Sequence, residues 1–214
     1  MFPKSIVFAL SLTVSLACAP LSALAESPIK TAELSARLFE VGLEAGDPLL
    51  ILAAAKLRKT LNLTLTQRAP TADSPVPEDI ATAPVSWQDM LDTAAELAPG
   101  DDQIAALIGD IRAENTKGVS TGQVYSITAI RAGGTDTYPP LPYTGGEYAE
   151  VYVEGNDGTD LNLYVSDTKG RLVCSDTDIS AIAYCGWRPA QSGGFTIEVK
   201  NRGRAASSYS LITN

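Results

Sequence analysis

The chain has 214 residues, a formal net charge of −9 and no histidine. Without histidine, Ser–His and Cys–His nucleophile pairs, imidazole acid–base catalysis and His-ligated zinc are excluded. The acidic balance repels phosphate backbones and no Lys/Arg cluster offsets it, so nucleic acid is not an expected partner.

An apolar run over residues 6–19, IVFALSLTVSLACA, follows Lys4 and precedes Ala23, Leu24 and Ala25. This is the pattern of a secretory signal peptide over residues 1–25, with cleavage expected after Ala25. Acylation at Cys18 is the competing reading, but Ser15 stands where a lipobox carries an aliphatic residue. The run is too short to span a bilayer comfortably, and no later segment reaches the roughly twenty apolar residues a membrane helix needs. The expectation is a periplasmic or secreted protein whose mature chain does not insert into the membrane.

Helical patterns dominate from residue 26 to 117. Leu34, Leu38, Val41 and Ala45 recur on one helix face, and Leu50, Ala54, Leu57 and Leu61 repeat that spacing. Between them Gly46, Asp47 and Pro48 supply a stop, a cap and a first-turn proline, which predicts an αα-hairpin. Residues 67–85 carry four prolines and few apolar side chains, the composition of an extended linker or long loop. Ser86 and Asp89 then form a candidate capping box for a helix with Trp87, Met90, Leu91, Ala94 and Leu97. Gly100 and Asp101 restart a fourth with Ile104, Leu107, Ile108 and Ile111. The likeness of GDPLLILAAAKLR to GDDQIAALIGDIR allows a small helical repeat, but two hairpins are few for a solenoid, so a four-helix cluster is expected.

From Gln123 the period becomes two. Ala149, Val151 and Val153 alternate with Tyr148, Glu150, Tyr152 and Glu154; Leu161, Leu163 and Val165 alternate with Asn162, Tyr164 and Ser166. GNDG at residues 155–158 predicts a hairpin turn between these strands. With QVYSITAI, RLVC, GGFTIEVKN and SSYSLIT, about seven strands are expected, forming an antiparallel β-sandwich or jelly roll over residues 118–214. The fold class is therefore α+β in two parts. Cys174 and Cys185, an even pair in an exported chain, are expected to form a disulfide.

The stretch GGEYAEVYVEGNDGTDLNLYVSDTKGRLVCSD, followed by CGWRPAQSGGFTIEVKNRGRAASSYSLIT, resembles the bacterial pre-peptidase C-terminal domain. The matching elements are the strand at residues 160–165, the turn with Gly170, the Gly-Gly-aromatic strand at 193–195 and the final Tyr209 and Leu211. The resemblance covers the last ninety or so residues and implies an accessory module that contacts a ligand or stabilises a partner. Asn162 stands where the family commonly has a second aspartate, which weakens an inherited metal site, and the catalytic domain that usually accompanies the module is absent from this chain.

Three candidate chemistries follow. Outward Tyr148, Tyr152 and Tyr164, flanked by Glu150 and Asn162, have the composition of a sugar- or peptide-contacting face, against the alternatives of plain surface tyrosine and of packing on the helices. Glu154, Asn156, Asp157 and Asp160 are calcium candidates, with Asp176 and Asp178 inside the cysteine loop; local turn formation is the competing role. Trp187 is either a core anchor beside the disulfide or a contact residue. With no catalytic motif, the expectation is a non-catalytic exported binding or scaffolding protein, with a protein or glycan of the cell envelope or exterior as ligand. An accessory factor or inhibitor of a separate secreted hydrolase is the alternative, and a carboxylate-pair glycan hydrolase the third.

Overall fold

The computed structural model describes residues 27–73, 75, 85–114, 124–156 and 158–214. The expected signal segment with Cys18 and Ala25, most of the proline-rich stretch, and Asp157 lie outside them. Four helices come first: α1 (Pro28–Ala45), α2 (Pro48–Lys59), α3 (Trp87–Leu97) and α4 (Asp102–Ala113). Two short strands, β1 (Thr64–Leu65) and β2 (Thr71–Ala72), interrupt them.

Each helix starts on a side chain that takes its orphan amides. Ser27 accepts from the Ile29 amide with Pro28 in the first turn, and Asp47 accepts from Leu49 and Leu50 beside Pro48. Ser86 and Asp89 close a reciprocal capping box, and Asp101 takes the amides of Gln103 and Ile104. Gly46 ends α1 in the left-handed region at φ 62°.

The buried faces of α3 and α4 follow the spacing at Met90, Leu91, Ala94, Ile104, Ile108 and Ile111, whereas that of α1 differs. Leu34, Val41, Leu97 and Leu107 are exposed, whereas Ile29, Ala32, Ala36, Phe39 and Gly42 of α1 are buried. The reason is that α1 touches two neighbours. Its Phe39 joins the helical core with Ile51, Met90, Leu91 and Ile108, while Ile29, Ala32 and Ala36 lie on a sheet. Small side chains permit both approaches: a Cβ on Gly42 would stand 2.7 Å from Ile51 Cγ1.

Among the described residues nine strands follow: β3 (Val124–Ile130), β4 (Thr135–Thr137), β5 (Leu141–Tyr143), β6 (Ala149–Gly155), β7 (Leu161–Asp167), β8 (Leu172–Asp176), β9 (Ile182–Trp187), β10 (Gly193–Asn201) and β11 (Ser207–Thr213). One sheet runs β1-β3-β11-β6-β9 and the other β2-β4-β10-β7-β8, with β5 on the first residues of β10. All pairs are antiparallel except β1 with β3.

The residues around GNDG do not form a hairpin, a correction to the expectation above. β6 pairs with β11 and β9, whereas β7 pairs with β10 and β8. The alternating aliphatics of β6 and β7 meet across one shared core, with Ile197, Val199, Tyr209 and Leu211. The described residues here, 155–156 and 158–160, are instead a corner between sheets. Its amides pair with the β8–β9 connection, Gly155 N to Ala181 O at 2.8 Å and Leu161 N to Ser180 O at 2.9 Å.

The Cys174–Cys185 disulfide, with a Cα separation of 5.8 Å, ties β8 to β9, the edge strands of the two sheets. A second inter-sheet tie is polar. The Tyr209 hydroxyl donates to the buried Asp136 carboxylate at 2.9 Å and lies 2.8 Å from the Tyr138 hydroxyl. Burial raises the Asp136 pKa above the usual carboxylate range; the Tyr209 hydrogen bond only partly opposes this. β2 and Arg68, which donates to Thr213 Oγ1 at 2.8 Å, show that the start of the proline-rich stretch lies on the sheets.

Candidate functional site

The five residues of the tyrosine face are divided between opposite sides of the sheet pair. Tyr148, Glu150 and Tyr152 belong to the outer side of the sheet that α1 covers. Tyr152 is fully buried against Ile29, Ala32 and Ala36 of α1, and its hydroxyl donates to Glu154 at 2.9 Å. Glu150 is buried too, accepting from Ser27 Oγ at 2.5 Å and from the Tyr184 hydroxyl at 2.9 Å. Lys30 Nζ sits 3.2 Å above the Tyr184 ring, closing that region. Tyr148 remains about half exposed, 3.3 Å from the Tyr184 hydroxyl.

Tyr164 and Asn162 lie on β7, on the outer side of the other sheet. Tyr164 stands beside Glu198 and Ser175 in register, with Lys200 Nζ 5.0 Å from its ring centroid. Asn162 is buried. The expected single aromatic face therefore does not exist, because β6 and β7 are facing strands rather than neighbours.

Glu154 also departs from the calcium set. It accepts both Arg58 guanidinium nitrogens at 2.8 Å, with the two side chains only 6% and 10% exposed. Arg58 Nε continues to Ser35 Oγ at 3.1 Å, so the pair locks α1 and α2 onto β6. Burial works to lower the Arg58 pKa, but the adjacent carboxylate outweighs it and the net shift is upward. Burial and the same carboxylate push the Tyr152 phenol well above its ordinary range. Asn156 Nδ2 donates to Ser208 Oγ at 3.3 Å, and Asp160, part-buried, accepts the Arg202 amide at its main-chain oxygen at 2.6 Å. Asp176 Oδ2 takes the Tyr184 amide at 2.8 Å, covering a donor on the free edge of β9. Among the described residues no group of three or more His, Cys, Asp or Glu side chains is placed to hold a metal. Of the four candidates, Glu154 is thus committed to Arg58 and Tyr152, and Asp157 lies outside the described residues.

Sequence reasoning missed a cleft at one end of the two sheets. Its first wall is the β7–β8 turn. Asp167 Oδ1 accepts from the amides of Lys169 and Arg171 at 2.8 and 3.0 Å, and its Oδ2 accepts from Arg171 Nε at 2.7 Å. These bonds, led by the Arg171 side chain, hold the Asp167 pKa below the usual range. Gly170, at φ 73°, supplies the left-handed residue the turn requires.

The second wall is the β9–β10 connection, residues 188–192, which leans on residues 144–147. Gly146 donates to Pro189 O at 2.7 Å, Gly145 donates to Ser192 Oγ at 2.9 Å, and Arg188 Nη1 donates to Gly146 O. Between the walls lies a cavity of about 470 Å³, with the buried Trp187 and Phe195 at its base and the more exposed Val173, Lys169, Arg171 and Arg188 around it. Trp187 and Phe195, with ring centroids 5.4 Å apart, are backed by Tyr143 at 4.9 and 5.9 Å. Trp187 thus serves both core and cleft. Hollows of similar size on α2 and α4, and between residues 65–70 and β3, are shallower and have no aromatic base.

No protein-family profile matches the chain, and no curated protein matches it. Solved structures that resemble part of it include the Yersinia pseudotuberculosis-derived mitogen, 17% identical with a TM-score of 0.31 over 44% of this chain and 85% of that one. Others are the pre-peptidase C-terminal domain of collagenase from Bacillus anthracis (7% identity, TM-score 0.28, 44% and 79% covered) and the C-terminal CBM6 of the laminarinase LamC from Zobellia galactanivorans (8%, 0.28, 40% and 76%).

Proposed function

We propose that this chain is an exported, non-catalytic binding module. In this reading the two sheets form an antiparallel sandwich of the jelly-roll kind, the helices brace one outer face, and ligand enters the end cleft. The observation that carries it is the cleft: about 470 Å³ between two hydrogen-bonded walls, apolar at its base and ionic at its rim. That is the size and chemistry of small-ligand sites, which run to about 300–1,000 Å³. Export is supported by the signal-like start and by a disulfide that needs an oxidising compartment to persist.

A non-catalytic role is supported by the engagement of the carboxylates on β6. Glu150 and Glu154 are four residues apart on an extended strand, roughly 13 Å. Glycosidase pairs stand about 5–9.5 Å apart. Glu154 is moreover neutralised by Arg58.

Trp187 provides the assay. In a Trp87→Phe background it is the only tryptophan, and its fluorescence reports on the cleft base. Envelope-derived oligosaccharides and peptides are titrated against this protein and against a further Val173→Phe variant, which adds bulk to the cleft lining. Saturable quenching that disappears in Val173→Phe, at unchanged melting temperature, supports the reading. Binding that survives the plug would place the ligand elsewhere and overturn it.

A further inference from the structure

Resting on that reading, we propose that the cleft selects an acidic sugar, the uronate unit of an anionic polysaccharide. The argument begins with charge. The chain carries 25 acidic and 16 basic side chains, yet the cleft is lined by Lys169, Arg171 and Arg188 against Asp167 alone. Asp167 is already committed to its own turn and to Arg171. Lys169 forms no ion pair among the described residues, and the one contact of Arg188 is to a main-chain carbonyl, which leaves its charge uncompensated. Salt screens the overall negative field within about 8 Å, so the cations at the rim decide what a close ligand meets.

The remaining lining completes a sugar. Thr168, Gln191 and Ser192 offer hydroxyl and amide groups for ring hydroxyls, and Val173, Trp187 and Phe195 supply apolar surface for the C–H groups of a pyranose. A guanidinium or ammonium opposite a carboxylate makes the stronger, charge-assisted kind of hydrogen bond. A peptide is less well served, because extended peptides dock by pairing along a free strand edge. Here both walls are turn and loop, and β7, β8, β9 and β10 contribute only residues at their ends, Val173 being the second of β8, so that no strand edge runs along the cleft. A phosphate is less well served too, since no helix residue lines the cleft to point amides at it.

The test uses trimers of galacturonate and of mannuronate, their carboxyl-reduced neutral counterparts, and tri-glutamate, each titrated against the Trp87→Phe protein. The expected result is binding of at least one uronate trimer, about tenfold to hundredfold tighter than its reduced form. That binding weakens with salt, and is lost with Val173→Phe and with either Lys169→Glu or Arg188→Gln at unchanged melting temperature. Equal, plug-sensitive binding of the neutral trimers would overturn the acidic preference while leaving the cleft as a ligand site. Cleft-dependent binding of tri-glutamate in place of the uronates would overturn the sugar assignment. Uronate binding that ignores Val173→Phe would overturn the cleft and the inference together, as would no binding of any probe at millimolar concentration.

Discussion

Replacing Glu154 with Gln tests how the helices are held on the sheet. The carboxylate is 6% exposed and accepts two Arg58 nitrogens at 2.8 Å and the Tyr152 hydroxyl at 2.9 Å. The amide is isosteric, so packing is unchanged, but a 10%-exposed guanidinium loses its counter-charge. Removing one partner of a buried pair costs about 3–5 kcal/mol, because the other charge stays desolvated. For a chain of this size each kcal/mol moves the melting temperature by about 2–4 °C, so a drop of roughly 6–20 °C is expected in calorimetry. The converse variant carries the logic further. Arg58→Met with Glu154→Leu removes both charges and should recover most of the loss, since apolar replacement of a buried pair is often neutral or better. A Glu154→Gln shift below about 1 kcal/mol, the range of exposed pairs, would refute the assignment of this pair as the buried lock between helices and sheet.

Tyr152→Ser should cost about 3–5 kcal/mol, by analogy with other large aromatic truncations in cores, whereas the half-buried Tyr164→Ser should cost less, about 1; urea unfolding of the two separates a core tyrosine from one on the sheet surface. Reducing the Cys174–Cys185 bridge, or Cys174→Ser with Cys185→Ser, should lower unfolding stability by about 2–4 kcal/mol. Gly42→Val should destabilise by about 1–3 kcal/mol in the same assay, because its Cβ would stand 2.7 Å from Ile51 Cγ1. Asp136→Asn tests pH linkage. A carboxyl whose folded pKa lies above its unfolded value binds more protons when folded, so its penalty is present at neutral pH and is relieved as pH falls through the folded pKa. Relative to the Asn variant, the parent should therefore gain stability from pH 7 towards pH 4, and parallel stability curves would show that the group is not strained.

The helix ends were legible because caps are local. Asp47, Ser86 with Asp89, and Asp101 each bond amides two or three residues away, a reach that a single sequence contains. Which helix face is buried was not local. Leu34 and Val41 fit a periodic stripe but face outward, because α1 must serve both α2 and the sheet and does so with Ala32, Ala36 and Gly42. Strand alternation was equally readable and equally incomplete. It states that Val151 and Leu163 point inward, and is silent on whether their strands are neighbours in one sheet or facing strands in two. GNDG appeared to decide for a hairpin, whereas the amides of Gly155 and Leu161 pair with Ala181 and Ser180.

That one ambiguity displaced the candidate site. With β6 and β7 as neighbours, Tyr148, Tyr152 and Tyr164 make a patch; with them facing, one tyrosine lies under α1 and another on the far sheet. The cleft has the opposite character. Lys169 and Arg188 are nineteen positions apart, each in a turn-like segment where a cation is ordinarily a solvated charge. They converge because antiparallel strands on facing sheets end together, so that the turn after β7 and the connection after β9 share one end of the core, beside the disulfide joining β8 to β9. A surplus of cations at that end of an acidic chain is the signal a sequence could have offered, and it becomes visible only when the strands are assigned to their sheets. The face sealed by α1 is thus the scaffold's support, and in the proposed reading the end with two hydrogen-bonded loops admits the ligand without disturbing either core.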